Sequence, residues 1–233
     1  MEENYKQRIQ DDEMLSKLFV EKEVGLLTNF SKKNYDYKFK SDIKDLYVET
    51  FKEIYSNYIS AGKDGKITAL LRSVDHLSVP ESKSLIFKEL IPKLETSIDN
   101  LEVIKDSLHS EKAMTSNSEK LDNAINPVVI GILNIFEDQE EIKPYKDKII
   151  ASCLDICDDV SQAKPAKETY KYVTYNMVIN NIEKIKDFGS FKSRFESHSK
   201  KIDKTRKGID TRYYFGVAAV VIFIIIRAMA RLS

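Results

Sequence analysis

The sequence is poor in the residues that build turn-rich, disulfide-linked or metal-rich proteins. Its 233 residues include seven glycines, five prolines, two cysteines, three histidines and no tryptophan. So few glycines and prolines disfavour a β fold with many tight turns, and 32% charged with 42% hydrophobic residues is typical of amphipathic helices. Two cysteines do not form a disulfide framework. The composition therefore predicts an all-α protein with reduced thiols, without a metal or a cofactor.

No secretory signal is expected from the sequence, and its net charge is zero. The first residues, MEENYKQRIQDDE, contain no apolar stretch behind a positive start. The net charge is zero, but residues 190–233 carry ten Lys or Arg and three Asp or Glu, a charge of +7 that leaves −7 on residues 1–189. Because nucleic-acid binding requires a basic domain, the acidic part of the chain argues against that partner.

One long apolar run is present, fourteen residues from Tyr213 to Ile226. A helix of eighteen residues over 213–230 would be about 27 Å long, close to the roughly 30 Å hydrocarbon core of a bilayer. The run is apolar on every helical face, which leaves no side for water. It predicts one transmembrane helix over 213–230 with a short far-side tail, 231–233. The predicted membrane-spanning residues include Tyr213, Phe215, Val217, Val220, Ile222, Phe223 and Ile226.

The basic residues around this run predict its orientation. Six precede it and two, Arg227 and Arg231, follow Ile226, so the bulk of the chain is expected in the cytoplasm. The expected protein is single-pass and tail-anchored, in a bacterial inner membrane or on the cytosolic face of a eukaryotic organelle. A helix lying in the interface and a buried core helix are the alternatives. The six preceding cations, predicted to contact anionic lipid, are Lys200, Lys201, Lys204, Arg206, Lys207 and Arg212.

Residues 190–212 are predicted to form a basic helical stalk. Apolar residues recur here at spacings of three and four, the pattern of a narrow coiled-coil stripe. Two arrangements satisfy this stripe: the stalk packs back on the preceding domain, or two copies form a parallel homodimer through it. The stripe consists of Phe188, Phe191, Phe195, His198, Ile202, Thr205 and Ile209.

Residues 1–189 are predicted to form a soluble acidic helical bundle or short solenoid, with a subdivision near 110–120 as an alternative. Apolar periodicity predicts helices over about 2–27, 42–61, 67–77, 80–108, 144–160 and 168–186. Ser41 and Ser78 are predicted N-caps, and Pro92 is expected to bend or break its helix. Residues 128–136 fit a buried helix or a buried strand, and their helical neighbours favour helix.

Candidate catalytic residues are few. Asp75-His76, together with Asp106 and His109, is the only set that suits a helical hydrolase, and surface positions are the simpler interpretation. Cys153 and Cys157 lie one helical turn apart without a second ligand pair, which favours buried thiols over a zinc site.

Twelve tyrosines are present, several at helical spacing, among them Tyr47, Tyr55, Tyr58, Tyr172 and Tyr175. They predict core edges or a groove for a partner helix.

The leading functional hypothesis from sequence is non-enzymatic: a membrane-tethered interaction or scaffold module. Its partners would be the lipid bilayer and an unknown protein. A membrane-bound hydrolase and a stalk-driven membrane-remodelling or fusion factor are the alternatives. The fusion alternative predicts one continuous helix from about Ser190 to Ala230.

Overall fold

The computed structural model describes residues 2–24, 34–107, 120–162 and 168–204, and this part of the chain is helical, with no strand. The all-α prediction is therefore confirmed. A 3₁₀ turn, Gly189–Phe191, leads into helical residues 192–204, here called the stalk helix. The preceding helices, together with helical residues 120–124, are called the head. They are α1 (Glu2–Asp11), α2 (Glu13–Phe19), α3 (Tyr37–Asp42), α4 (Lys44–Ser60), α5 (Asp64–Leu77), α6 (Pro80–Asp106), α7 (Pro127–Ile135), α8 (Lys143–Gln162) and α9 (Glu168–Ile182).

Helix α6 is the centre of the bundle. Its 27 residues give it a length of about 40 Å. It packs against α4, α7 and α8, while α5 packs against α4 and α7, and α9 packs against α8. Its buried face includes Leu94, Ile98, Leu101 and Ile104, as the periodicity predicted.

One hydrophobic core extends through the described residues, from Ile9 to Ile202. Residues on both sides of 108–119 belong to it. Phe87 of α6 lies edge-on to Phe136 with ring centroids 5.0 Å apart. Inside the core, the Tyr47 hydroxyl pairs with the Ser73 hydroxyl at 2.7 Å, which satisfies both of these buried polar groups.

The N-terminal helix prediction was too long. Asp12 ends α1, and its carboxylate accepts hydrogen bonds from the Met14 and Leu15 amides at the start of α2. Ser41 was also wrong as an N-cap, because it lies inside α3. Asp36 caps α3 instead through the Phe39 amide, and α4 then begins after Ile43 without a side-chain cap. The single helix predicted over about 42–61 is thus preceded by a separate helix, α3, which has a carboxylate as its cap.

The capping prediction at Ser78 was wrong as well. Its hydroxyl donates to the Val74 carbonyl at the end of α5, so it cannot cap the helix that follows. Val79 is the N-cap residue of α6, and its amide donates to the Ser82 hydroxyl at 3.0 Å. Pro92 does not break α6, which continues for fourteen residues beyond it. The ring removes one backbone donor, and the packing of α6 on three neighbours outweighs that loss.

Residues 128–136 are helical, as their neighbours indicated. Asn126 caps α7 by accepting from the Val128 and Val129 amides, and Pro127 occupies the first turn, where a missing amide hydrogen costs nothing. The predicted helices over 144–160 and 67–77 are also confirmed. The predicted linker 110–120, apart from Lys120, and most of the linker 161–167 lie outside the described residues.

Candidate functional site

The predicted lipid-contact residues are only partly described. Lys200, Lys201 and Lys204 are exposed on the stalk helix. The other three cations, Arg206, Lys207 and Arg212, lie outside the described residues. The same holds for every predicted membrane-spanning residue, from Tyr213 to Ile226.

Among the described helices, none combines the length and the apolarity that a bilayer crossing requires. The transmembrane helix over 213–230 therefore stays a prediction.

The stalk helix packs back on the head. Its residue Ile202 belongs to the hydrophobic core, and His198 is buried with 2% of its surface exposed. Phe195 packs against the core and stacks on Phe188 with ring centroids 4.1 Å apart. The described part of the apolar stripe is thus occupied by the protein's own head.

An ion-pair cluster fastens the stalk helix to α8. The Arg194 guanidinium lies 2.6 Å from a carboxylate oxygen of Asp155 and 2.6 Å from one of Asp158. Lys105 of α6 reaches the other Asp155 oxygen at 3.1 Å. Arg194 and Lys105 together hold the pKa of Asp155 below its usual value, although partial burial acts against them. One arginine therefore ties the stalk to two turns of α8, and we call these four residues the Arg194 cluster.

His198 continues this junction towards α9. Its Nδ1 atom is hydrogen-bonded to the Tyr175 hydroxyl, and its Nε2 atom lies 3.4 Å from an Asp158 oxygen. Neutral imidazole suits both partners, because Nδ1 then accepts from the hydroxyl while the Nε2 hydrogen points to the carboxylate. Burial lowers the pKa of His198, with Asp158 opposing and Lys201 and Arg194 adding to the decrease. Burial also favours the neutral form of Tyr175 and therefore raises the pKa of its hydroxyl.

We expect the protein to lose stability on mild acidification through His198. The folded state holds this imidazole neutral, with a pKa below the usual 6.5, whereas the unfolded chain takes up a proton near 6.5. Protons therefore favour unfolding as pH falls below about 6.5. Denaturant unfolding at about pH 7.5 and about pH 5.5 measures the drop. His198→Gln should reduce it, whereas the matched control His76→Gln should retain it; an equal drop in all three proteins would contradict the assignment.

The hydrolase candidates do not assemble in the described structure. Asp75 pairs with Lys83 at 2.9 Å, and Asp106 is exposed near the end of α6. His109 lies outside the described residues. Within the described ranges, no group of three His, Cys, Asp or Glu side chains is arranged to hold a metal.

Cys153 and Cys157 are free thiols buried on the inner face of α8. Burial raises the pKa of both thiols. A buried thiol with a raised pKa is a poor nucleophile and packs as a small apolar side chain. Their predicted place in the core is confirmed.

Four of the five tyrosines singled out from the sequence have described side chains, and all four belong to the core or pack against it. Tyr47, Tyr58 and Tyr175 are buried, and Tyr55 is half-buried with its ring stacked on Phe51. These four do not line an open groove for a partner helix. The side chain of Tyr172 is outside the described part of the structure.

Sequence reasoning missed the Arg194 cluster. A signal was present: Asp155 and Asp158 are three residues apart, and Arg194 and His198 are four apart, so each pair shares one helix face. Only the packing of the two helices makes these faces meet.

Comparison of the chain with protein-family models, with curated proteins and with solved structures found no match.

Proposed function

We propose that this protein is a membrane-anchored interaction module whose helical head is held close to the cytoplasmic face of a membrane. The apolar run from Tyr213 to Ile226 would supply the anchor, and the predominance of basic residues before it supports the orientation. The head would bind a protein partner and hold it at the membrane surface.

The docking of the stalk helix on the head is the observation that favours this function most. The stalk is fastened as far as Ile202, which leaves a short connection to the predicted span. Nine residue steps separate Lys204 from Tyr213. They measure about 14 Å as a helix and at most about 32 Å when extended. The head would therefore stay within about 30 Å of the bilayer.

Charge supports the same arrangement. Lys200 and Lys204 are exposed and make no ion pair with the described residues. In a head docked near a membrane, such juxtamembrane cations each gain about 1 kcal/mol from anionic lipid. The acidic head would be repelled by the same surface, which favours an orientation with the stalk towards the lipid.

The fusion-factor alternative and a homodimer through the stalk are less favoured by the fold. Both require the apolar stripe to contact a second copy, and Phe195, His198 and Ile202 already pack against the head. Dimerisation through this face would first have to undock the stalk helix. The hydrolase alternative has no described cluster of catalytic side chains to support it.

Affinity capture from native membranes tests the proposal, with the full-length protein beside a chain truncated after Lys207. We expect the full-length protein to fractionate with membranes and the truncated chain to remain soluble, while both retain the same partner. A partner seen only with the full-length protein would move recognition into the stalk or the membrane. Absence of any specific partner with either chain would contradict the interaction module.

A further inference from the structure

A groove lies where α5, α7 and the turn after α9 meet. Its volume is about 750 Å³, within the range of ligand sites. Apolar side chains line one part of it, including Ile130 and Ile135 of α7. Charged side chains line the rest, with Arg72 from α5 and Lys184 and Lys186 from the turn.

The walls of this groove are held in place by specific contacts. The Asn134 side chain donates to the Lys184 carbonyl at 2.8 Å and accepts from the Lys186 amide at 2.7 Å, which clamps the turn to α7. Helices α5 and α7 approach closely at Gly131, where a Cβ atom would lie 3.3 Å from the Thr68 hydroxyl oxygen. The groove is thus built on packed elements, which position their side chains well for binding.

The carboxylates in the groove already have partners. Asp75 pairs with Lys83 at 2.9 Å, and Glu137 lies 3.7 Å from the buried Lys146 ammonium. The third carboxylate, Asp122, accepts a hydrogen bond of 2.9 Å from the Asn181 amide.

The cations in the groove are not paired with carboxylates. Arg72 and Lys186 make no ion pair within the described ranges, and Lys184 donates only to the neutral Asn181 side chain at 3.3 Å. Three cations, Arg72, Lys184 and Lys186, are thus left without an opposite charge against one carboxylate, Asp122, whose partner is the neutral Asn181 amide. The unpaired charge in the groove is therefore mainly positive and favours an incoming anion.

We propose that this groove binds a short acidic segment of a partner protein, with carboxylates at Arg72 and Lys186 and apolar side chains against Ile130 and Ile135. This inference rests on the proposed interaction function and names the chemistry of the partner.

A protein segment fits better than a phosphorylated lipid surface. A phosphate with two charges would lie among Asp75, Asp122 and Glu137, whose negative charges oppose it. A bilayer would also meet the rest of the head, which belongs to a region with a net charge of −7. A segment with single carboxylates and apolar neighbours matches both halves of the groove.

Selection of short random peptides displayed on phage tests the inference, with full-length protein in nanodiscs of uncharged lipid as the target. We expect enrichment of Asp and Glu next to Ile, Leu or Val. The best selected peptide is then synthesised with a fluorescent label, and its affinity is measured by anisotropy. Arg72→Glu and Lys186→Glu should each weaken binding about tenfold, since each replaces attraction by repulsion at an exposed position.

Lys88→Glu is the matched control, because Lys88 is an exposed cation of α6 outside the groove. It makes the same change in net charge and should leave the affinity unchanged. Circular dichroism melts of all three variants should match the unsubstituted protein, since the substituted side chains are exposed.

Three results would overturn the inference. The selected peptides could show no enrichment of acidic residues, the peptide could bind Arg72→Glu and Lys186→Glu as tightly as the unsubstituted protein, or phosphatidylserine vesicles could displace the peptide. Retention of the protein in nanodiscs is scored separately. Peptide binding that is unaffected by substitution of Arg72 and Lys186 would contradict the groove as the binding site but would remain consistent with the interaction module. Failure of the protein to insert into the nanodiscs would instead contradict the proposed membrane anchor.

Discussion

Substituting aspartate for both Val220 and Ile222 is expected to release the protein from membranes. Both positions lie near the middle of the predicted span over 213–230. At the centre of a spanning helix an aspartate costs about 2.5–3.5 kcal/mol, whereas valine or isoleucine contributes about −0.3 to −0.6. Two exchanges therefore oppose insertion by about 7 kcal/mol, a factor of about 10⁵. Alkaline extraction of membranes, followed by measurement of the pelleted fraction, checks this.

The control is leucine at both positions, which keeps the run apolar and should keep the protein in the membrane pellet. The chain truncated after Lys207 supplies the second comparison. If residues 213–226 were instead a buried helix of the head, truncation and the aspartate pair would both lower the melting temperature of the head. Unchanged membrane retention of the aspartate pair would contradict the spanning helix.

Reversing the charge of Arg194 is expected to detach the stalk helix from the head. Arg194→Glu removes two ion pairs and places a third carboxylate beside Asp155 and Asp158. The side chains remain partly exposed, 34% for Arg194 and 39% for each aspartate, so water screens them and each pair contributes at most about 1 kcal/mol. Loss of attraction plus repulsion should weaken docking by about 2–3 kcal/mol.

Hydrogen exchange of the amides in 192–204 measures this effect. Opening of the stalk helix should become roughly 30- to 150-fold more frequent, the equivalent of 2–3 kcal/mol. Lys192→Glu is the matched control, since Lys192 lies on the same helix, is exposed and makes no ion pair with the described residues. Equal protection in Arg194→Glu and the unsubstituted protein would show that apolar packing alone holds the stalk.

Detachment would have a second consequence for the proposed function. Phe188, Phe195 and Ile202 would lose their contacts with the head and leave an apolar stripe next to the membrane. Such a stripe favours self-association. Analytical ultracentrifugation of the same variant therefore tells whether the docked stalk keeps the protein from dimerising.

The sequence alone determined the helical class and most helix positions. Apolar residues at spacings of three and four share one helix face, and the apolar residues of α5 at these spacings are all buried: Ile67, Leu70, Leu71, Val74 and Leu77. The spacing of residues also places Cys153 and Cys157 in the core, because both cysteines share a helix face with apolar neighbours. The anchor over 213–230 stays a prediction, and it rests on the apolar run from Tyr213 to Ile226 alone.

Only the tertiary structure decided the helix ends and the pairing of charged faces. Ser41 and Asp36 are both good caps by residue type, but Asp36 caps α3, and Ser41 lies inside that helix. The Asp36 carboxylate is also held by Arg8 of α1, 2.9 Å away. The tertiary structure also decided what the stalk helix packs against. By sequence, its apolar stripe could contact the head or a second copy of the chain, and in the structure it contacts the head. Periodicity predicts which residues are buried. It does not predict the surface against which they pack, because that surface depends on contacts between distant parts of the chain, such as the contact between Arg194 and Asp158.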